Sequence, residues 1–119
     1  MNWYLAKLVY QVICGDGDHT PQFDEQLRLI AAPSEQEAFY KARRIGRMEQ
    51  ECFLNDRQHL VKWTFVDIAE LYQISELIDG AELYSRIQEA DNAERYIDIV
   101  RRKAGNIEGA AVLRSLQLI

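Results

Sequence analysis

At 119 residues, with 48% hydrophobic and 28% charged residues, the chain has the composition of an ordinary globular domain, long enough to bury about 65% of its unfolded surface without disulfides or metals. Lys+Arg 14 against Asp+Glu 19 leaves a net charge of −5, which repels phosphate backbones and excludes nucleic acid as a default partner. No apolar run approaches the ~20 residues of a membrane helix, and Met1-Asn2 leads straight into strand-like sequence with no leader pattern. A cytoplasmic location is therefore expected, with Cys14 and Cys52 as free thiols packed like small apolar side chains.

Trp3 to Cys14 is rich in aromatic and β-branched residues and predicts a strand. Alternate positions put Tyr4, Ala6, Leu8, Tyr10, Val12 and Cys14 on the core face, and Trp3, Leu5, Lys7, Val9, Gln11 and Ile13 on a mixed one. Gly15-Asp-Gly-Asp18 and Pro21 break the pattern and predict a loop. Phe23 to Ile30 then returns as an antiparallel strand, with Phe23, Leu27 and Leu29 expected inward and Asp24, Gln26 and Arg28 outward.

Ser34-Glu-Gln-Glu37 has the spacing of a capping box. Ala38, Phe39, Ala42, Ile45, Cys52 and Phe53 fall mostly on one helical face, which predicts a helix from about Glu35 to about Phe53 laid on one side of the sheet. Gly46 inside it costs roughly 1 kcal/mol relative to Ala, and the simplest reason for it is close approach to a strand. Leu54 to Gln58 reads as the exit loop, and His59 to Ala69 as a strand with Val61, Trp63 and Phe65 on one face and Leu60, Val66 and Ile68 on the other. Asp79-Gly80 predicts a hairpin returning through Ala81 to Ile87, with a bulge or bend near Glu70 to Ser75. Asp91-Asn-Ala-Glu94 predicts a second helix, closed by Arg101-Arg-Lys103 and stopped at Gly105, with an apolar tail from Asn106 to Ile119. The elements run ββα-ββα plus a C-terminal tail and predict a single α+β domain over 1–119, an antiparallel sheet of four or five strands with helices on one face.

The run Trp3-Tyr4-x-Ala6-Lys7-Leu8-Val9, followed by Cys14-Gly15-x-Gly17-x-His19-x-Pro21-Gln22-Phe23-Asp24-Glu25-Gln26-x-Arg28-Leu29-Ile30, resembles a small bacterial domain family of unknown function. The likeness continues through Ala38, Ala42 and Gly46, Trp63-x-Phe65, Glu70-Leu71-Tyr72, Asp79-Gly80 and Tyr84-Ser85-Arg86-Ile87. It implies a bacterial domain and brings no activity, cofactor or catalytic residue with it.

Three places could carry a function. The loop cluster Asp16, Asp18, His19 and Asp24, with Glu25 beside it, has the residue types of a divalent-metal site or a metal-dependent hydrolase. Against this, Asp-Gly-Asp lacks the other ligands of a calcium loop, and His59 is forty residues away. The outward strand surface, with Gln26, Arg28, Tyr84 and Arg86, suits a protein contact or an anionic ligand. A pocket between sheet and helices, walled by Tyr10, Tyr72 or Trp63, would suit a small ligand. Arg43, Arg44 and Arg47, like Arg101, Arg102 and Lys103, read as solvated helix faces. No phosphate loop, G-x-S-x-G elbow, C-x-x-C or H-E-x-x-H occurs. The sequence thus favours a non-enzymatic interaction or self-associating module, with a protein partner or a homodimer, no cofactor, no nucleic acid and no membrane. A metal-binding protein and a small-ligand binder are the alternatives.

Overall fold

The computed structural model describes residues 1–117. Its elements are β1 (Asn2–Cys14), β2 (Gln22–Ala32), α1 (Glu35–Met48), β3 (Glu51–Leu54), β4 (Leu60–Ile74) and α2 (Ala93–Gln117). The strands form one antiparallel sheet in the order β2-β1-β4-β3, an α+β fold with the expected ββα-ββα succession. The chain divides into two compact units, Met1–Ser85 and Arg86–Ile119.

In the first unit, β1 and β2 pair without a break from Asn2 opposite Ala32 to Val12 opposite Gln22. The loop between them is built by local bonds. Gly15 and Gly17 take φ of +63° and +83°, where a Cβ would be strained, and the Asp18 N–H donates to Asp16 Oδ1 at 3.0 Å. Tyr4, Ala6, Leu8 and Tyr10 are buried, as alternation requires. With Ile30, Ala32, Ala38 and Ala42 they make the core, against which Ile45, Trp63, Phe65, Ile68 and Leu71 pack.

Ser34 caps α1, its side chain accepting from the Glu37 N–H at 3.2 Å. Ala38, Ala42 and Gly46 form a line of small buried residues down the helix, so its backbone lies close to the sheet. At Gly46 an added Cβ would stand 2.3–2.6 Å from the Phe65 ring, which confirms the close approach expected there. Tyr10 fixes the same point from the strand side, donating its hydroxyl to the Gly46 carbonyl at 2.9 Å.

The helix ends at Met48, short of Phe53. Cys52 and Phe53 instead belong to β3, which pairs with Leu60 to Trp63 of β4. The cause is the turn at 55–59: Asn55 Oδ1 accepts from the N–H groups of Arg57 and His59 at 2.9 and 3.0 Å, and Gln58 takes φ of +64°. This hairpin captures residues whose spacing alone also fits a helix. Cys52 is exposed and Cys14 half-buried, so Cys52 is not the buried apolar side chain expected. The register puts Cys14 opposite Val61 and Cys52 opposite Lys62, on opposite faces of the sheet.

β4 runs unbroken for 15 residues. Its pairing with β1 shifts twice, between Lys7 and Leu8 and between Val9 and Tyr10, so that Val66 and Ala69 are extra residues, earlier than the expected bend. Each extra residue moves the inward set along by one. The side chains meeting the core are therefore Trp63, Phe65, Ile68 and Leu71, and Ile68 lies on the face opposite to that given by simple alternation. Between the bulges Asp67 accepts from Arg43 of α1 through Nε and Nη2, at 3.0 and 3.1 Å.

A turn forms at Asp79-Gly80, with the Ala81 N–H donating to the Ile78 carbonyl at 3.0 Å and Gly80 at φ +82°. Residues 81–87 are nevertheless not a strand: β4 has ended at Ile74, leaving no ladder at the turn to extend.

In the second unit Asn92 caps α2, its Oδ1 accepting from the Arg95 N–H at 3.0 Å. The helix passes through Gly105 without stopping. Each interior glycine costs roughly 1 kcal/mol, and the helix-favouring run Ala110-Ala-Val-Leu113 carries the helix on. The tail therefore continues α2 as far as Gln117; Leu118 and Ile119 lie outside the described residues.

Two outcomes follow. Gly46→Ala forces a methyl group into the Phe65 ring and is expected to destabilise the fold by roughly 1–3 kcal/mol, a net loss in urea unfolding despite alanine's better helix propensity. The guanidinium of Arg43, then the Ile68 N–H, hold the Asp67 carboxyl below its ordinary value of 3.8. A depressed folded-state pKa contributes stability above about pH 4 that disappears as pH falls through the folded value. Asp67→Asn should therefore lower the urea midpoint at pH 7 and converge with the unmodified chain in strong acid.

Candidate functional site

The register decides which side each strand residue serves. Tyr10 faces Asp24, Leu8 faces Gln26 and Ala6 faces Arg28, and cross-strand partners share a face. Asp24, Gln26 and Arg28 therefore lie on the helix side, half-buried, and not outward as expected. Phe23, Leu27 and Leu29 form the opposite row and are 56%, 53% and 45% exposed. The correction has a physical reason: β1 spends its buried side chains on the α1 face, and β2 must follow β1's alternation whatever its own hydrophobicity suggests.

On the helix side a cavity of about 660 Å³ opens where α1 runs out, lined by Tyr10, Asp24, Gln26, Arg28, residues 48–51, Phe53 and Trp63. Its floor is a relay of bonds. Trp63 Nε1–H and the Gln26 amide both donate to Asp24 Oδ2, at 3.0 and 2.7 Å. Arg28 donates to Gln26 Oε1 through Nε and Nη2, at 3.1 and 2.9 Å, and its Nη2 also meets Glu49 just past the helix. Phe53 stacks on Trp63 with ring centres 6.1 Å apart. Burial, and then the Glu49 carboxylate, keep the Tyr10 phenol above its usual range and so protonated.

On the opposite side the outward row of β2 is exposed, while β1 and β4 are partly covered. Leu5 is buried there, while Lys7 Nζ stands 3.2 Å from Glu70 Oε2 and 5.7 Å from the centre of the Tyr84 ring. Tyr84 meets Tyr72 edge-on at 5.7 Å. Tyr72, expected as a pocket wall beside Tyr10 and Trp63, is thus on the other face from both. Of the expected contact residues, Gln26 and Arg28 come together in the cavity, Tyr84 lies across the sheet from them, and Arg86 opens the second unit.

The expected metal cluster is split. Asp24 belongs to the cavity floor. Asp16 serves the loop turn. His19 Nε2 accepts from the Cys14 N–H at 3.0 Å while Nδ1 lies 2.8 Å from the Thr20 carbonyl, which assigns the proton to Nδ1 and engages both ring nitrogens with backbone. Among the described residues no group of three or more His, Cys, Asp or Glu side chains is placed to hold a metal ion, and no helix is long and apolar enough to cross a membrane.

Sequence reasoning missed Glu49 and the pairing of Trp63 with Asp24. The first is hidden because the helical spacing runs on past it to Phe53. The second needs the register, since the two lie 39 positions apart.

No curated protein and no solved structure matches the chain. Residues 3–85, more than half of the chain and nearly all of the first compact unit, match the family described as Domain of unknown function (DUF4288), and the protein belongs to that family.

Proposed function

We propose that this chain is a non-enzymatic interaction module, active in the cytoplasm, that binds another polypeptide through the exposed outer strand of its sheet. The observation that carries this reading is the row Phe23, Leu27 and Leu29, three large apolar side chains about half exposed on a single strand. Scattered exposed hydrophobics are normal, whereas three large ones gathered on one face of a single strand, with only Glu25 among them, are a feature of contact surfaces. Glu25 lies within the row, between Phe23 and Leu27, and the Lys7–Glu70 pair lies beside it, so the partner surface it suits is largely apolar with few charges. The cavity polar groups are engaged with one another, which fits a structural role for that relay better than a reactive one.

A photoreactive amino acid placed at Leu27 of the full chain, in cells that express it, should give a discrete protein adduct, while the same group at Arg44 on exposed α1 should not. Leu27→Glu should change folding stability by less than about 0.5 kcal/mol while removing the interaction. Absence of an adduct at both Leu27 and Leu29, or one equal to that at Arg44, would remove the reading.

A further inference from the structure

β2 lies at the edge of the sheet and is 11 residues long, with no bulge in its pairing to β1 and no proline between Gln22 and Ala32. The other edge, β3, has only 4 residues. Long, regular edges template pairing with another strand, and proteins usually blunt them with prolines, bulges or inward charges; β2 has neither proline nor bulge, and its two inward charges, Asp24 and Arg28, are opposite in sign.

The direction of the free backbone groups follows from one bond. The Gly15 N–H donates to the Leu60 carbonyl at 2.7 Å, so at that end odd-numbered β1 residues bond towards β4 and even-numbered ones towards β2. The pairing of Tyr4 with Ile30, and of every even β1 residue with an even β2 residue, then leaves the N–H and C=O groups of Phe23, Glu25, Leu27, Leu29 and Ala31 pointing off the edge. Lys41 agrees: its Nζ reaches around to the Ala31 carbonyl at 2.8 Å.

We propose that two copies of the chain join edge to edge through β2, antiparallel, with Gln26 on the two-fold axis, giving a continuous eight-stranded sheet. The inference rests on the interaction reading above and names its partner as a second copy. Three features select this occupant and this register. First, Asp24 of one copy stands opposite Arg28 of the other, twice. Among the described residues the bonds within one chain use Oδ2 of Asp24 and Nε and Nη2 of Arg28, leaving Oδ1 and Nη1 for the cross-strand pair. Second, on the other face Phe23 stands opposite Leu29 of the second copy at both ends of the seam, with Leu27 opposite Glu25 between them. Third, Ala31, whose carbonyl Lys41 already occupies, falls opposite Pro21, which has no N–H to offer. The pairing ends where neither strand can continue it. Between these ends the odd residues exchange about eight backbone hydrogen bonds.

Sedimentation of the native chain should give twice the monomer mass, and Leu27→Pro, which removes an outward N–H from an edge strand, should give a monomer with an unchanged circular dichroism spectrum. The register is tested separately. In a background carrying Cys14→Ser and Cys52→Ser, Gln26→Cys should oxidise in air to a linked dimer, because residues facing each other in a non-hydrogen-bonded pair lie about 4.5 Å apart, within disulfide reach. Leu27→Cys should not. If Leu27→Pro fails to fold, the cysteine pair decides alone. A native chain that stays monomeric at every concentration, or a link through Leu27→Cys instead of Gln26→Cys, overturns the proposal. A monomer whose Leu27 photo-adduct is a different protein sinks the second-copy partner and leaves the interaction reading standing; a monomer with no adduct sinks both.

Discussion

The pairing of β1 with β2 is the constraint from which the rest follows. Side chains on a strand have only two directions, and a register shift of one residue exchanges them all. Because Tyr4, Ala6, Leu8 and Tyr10 must be buried beneath α1, the residues paired with them, Ile30, Arg28, Gln26 and Asp24, are carried to the same side. Their neighbours Phe23, Leu27 and Leu29 are turned away from the core. The polar cavity and the bare apolar row are two results of one alignment.

Seating α1 closely on this sheet requires small residues on the helix and irregularity on the strand. Ala38, Ala42 and Gly46 bring the backbone in until Phe65 fills the space a methyl group would need. The bulges at Val66 and Ala69 keep Phe65, Ile68 and Leu71 inward along a strand too long to stay regular. They also flank Asp67, which meets Arg43 from the helix. The helix therefore has an aromatic contact near one end and a paired charge in its middle, and the cavity begins where these supports stop.

Much of this was legible in the residues. The aromatic alternation from Tyr4 to Tyr10, the Gly-Asp loop, the Ser34 cap and the meaning of Gly46 each reflect local chemistry that tertiary structure left alone. The inward face of β2 was not legible, because Phe23, Leu27 and Leu29 are more hydrophobic than Asp24, Gln26 and Arg28 and composition points the wrong way. Only the partner strand settles it. Strand β3 was hidden for a related reason: Cys52 and Phe53 fit a helical spacing, and the competing hairpin depends on Asn55 bonding to Arg57 and His59. Of the candidate site, the residue types were visible and their grouping was not. Nearness in sequence groups Asp24 with the loop acids, yet the fold gives it to Trp63 and Gln26.

The environment of Trp63 has an optical consequence. Its indole donates to a carboxylate and its ring lies against Phe53 of the short β3 hairpin, whereas Trp3 stands near the chain start with more than a third of its surface in solvent. The emission of the protein is thus divided between a wet fluorophore and a sheltered one beside the cavity. Loosening of β3 alone would redden one component and leave the other where it was, so partial opening at this end of the sheet can be told from global unfolding by light.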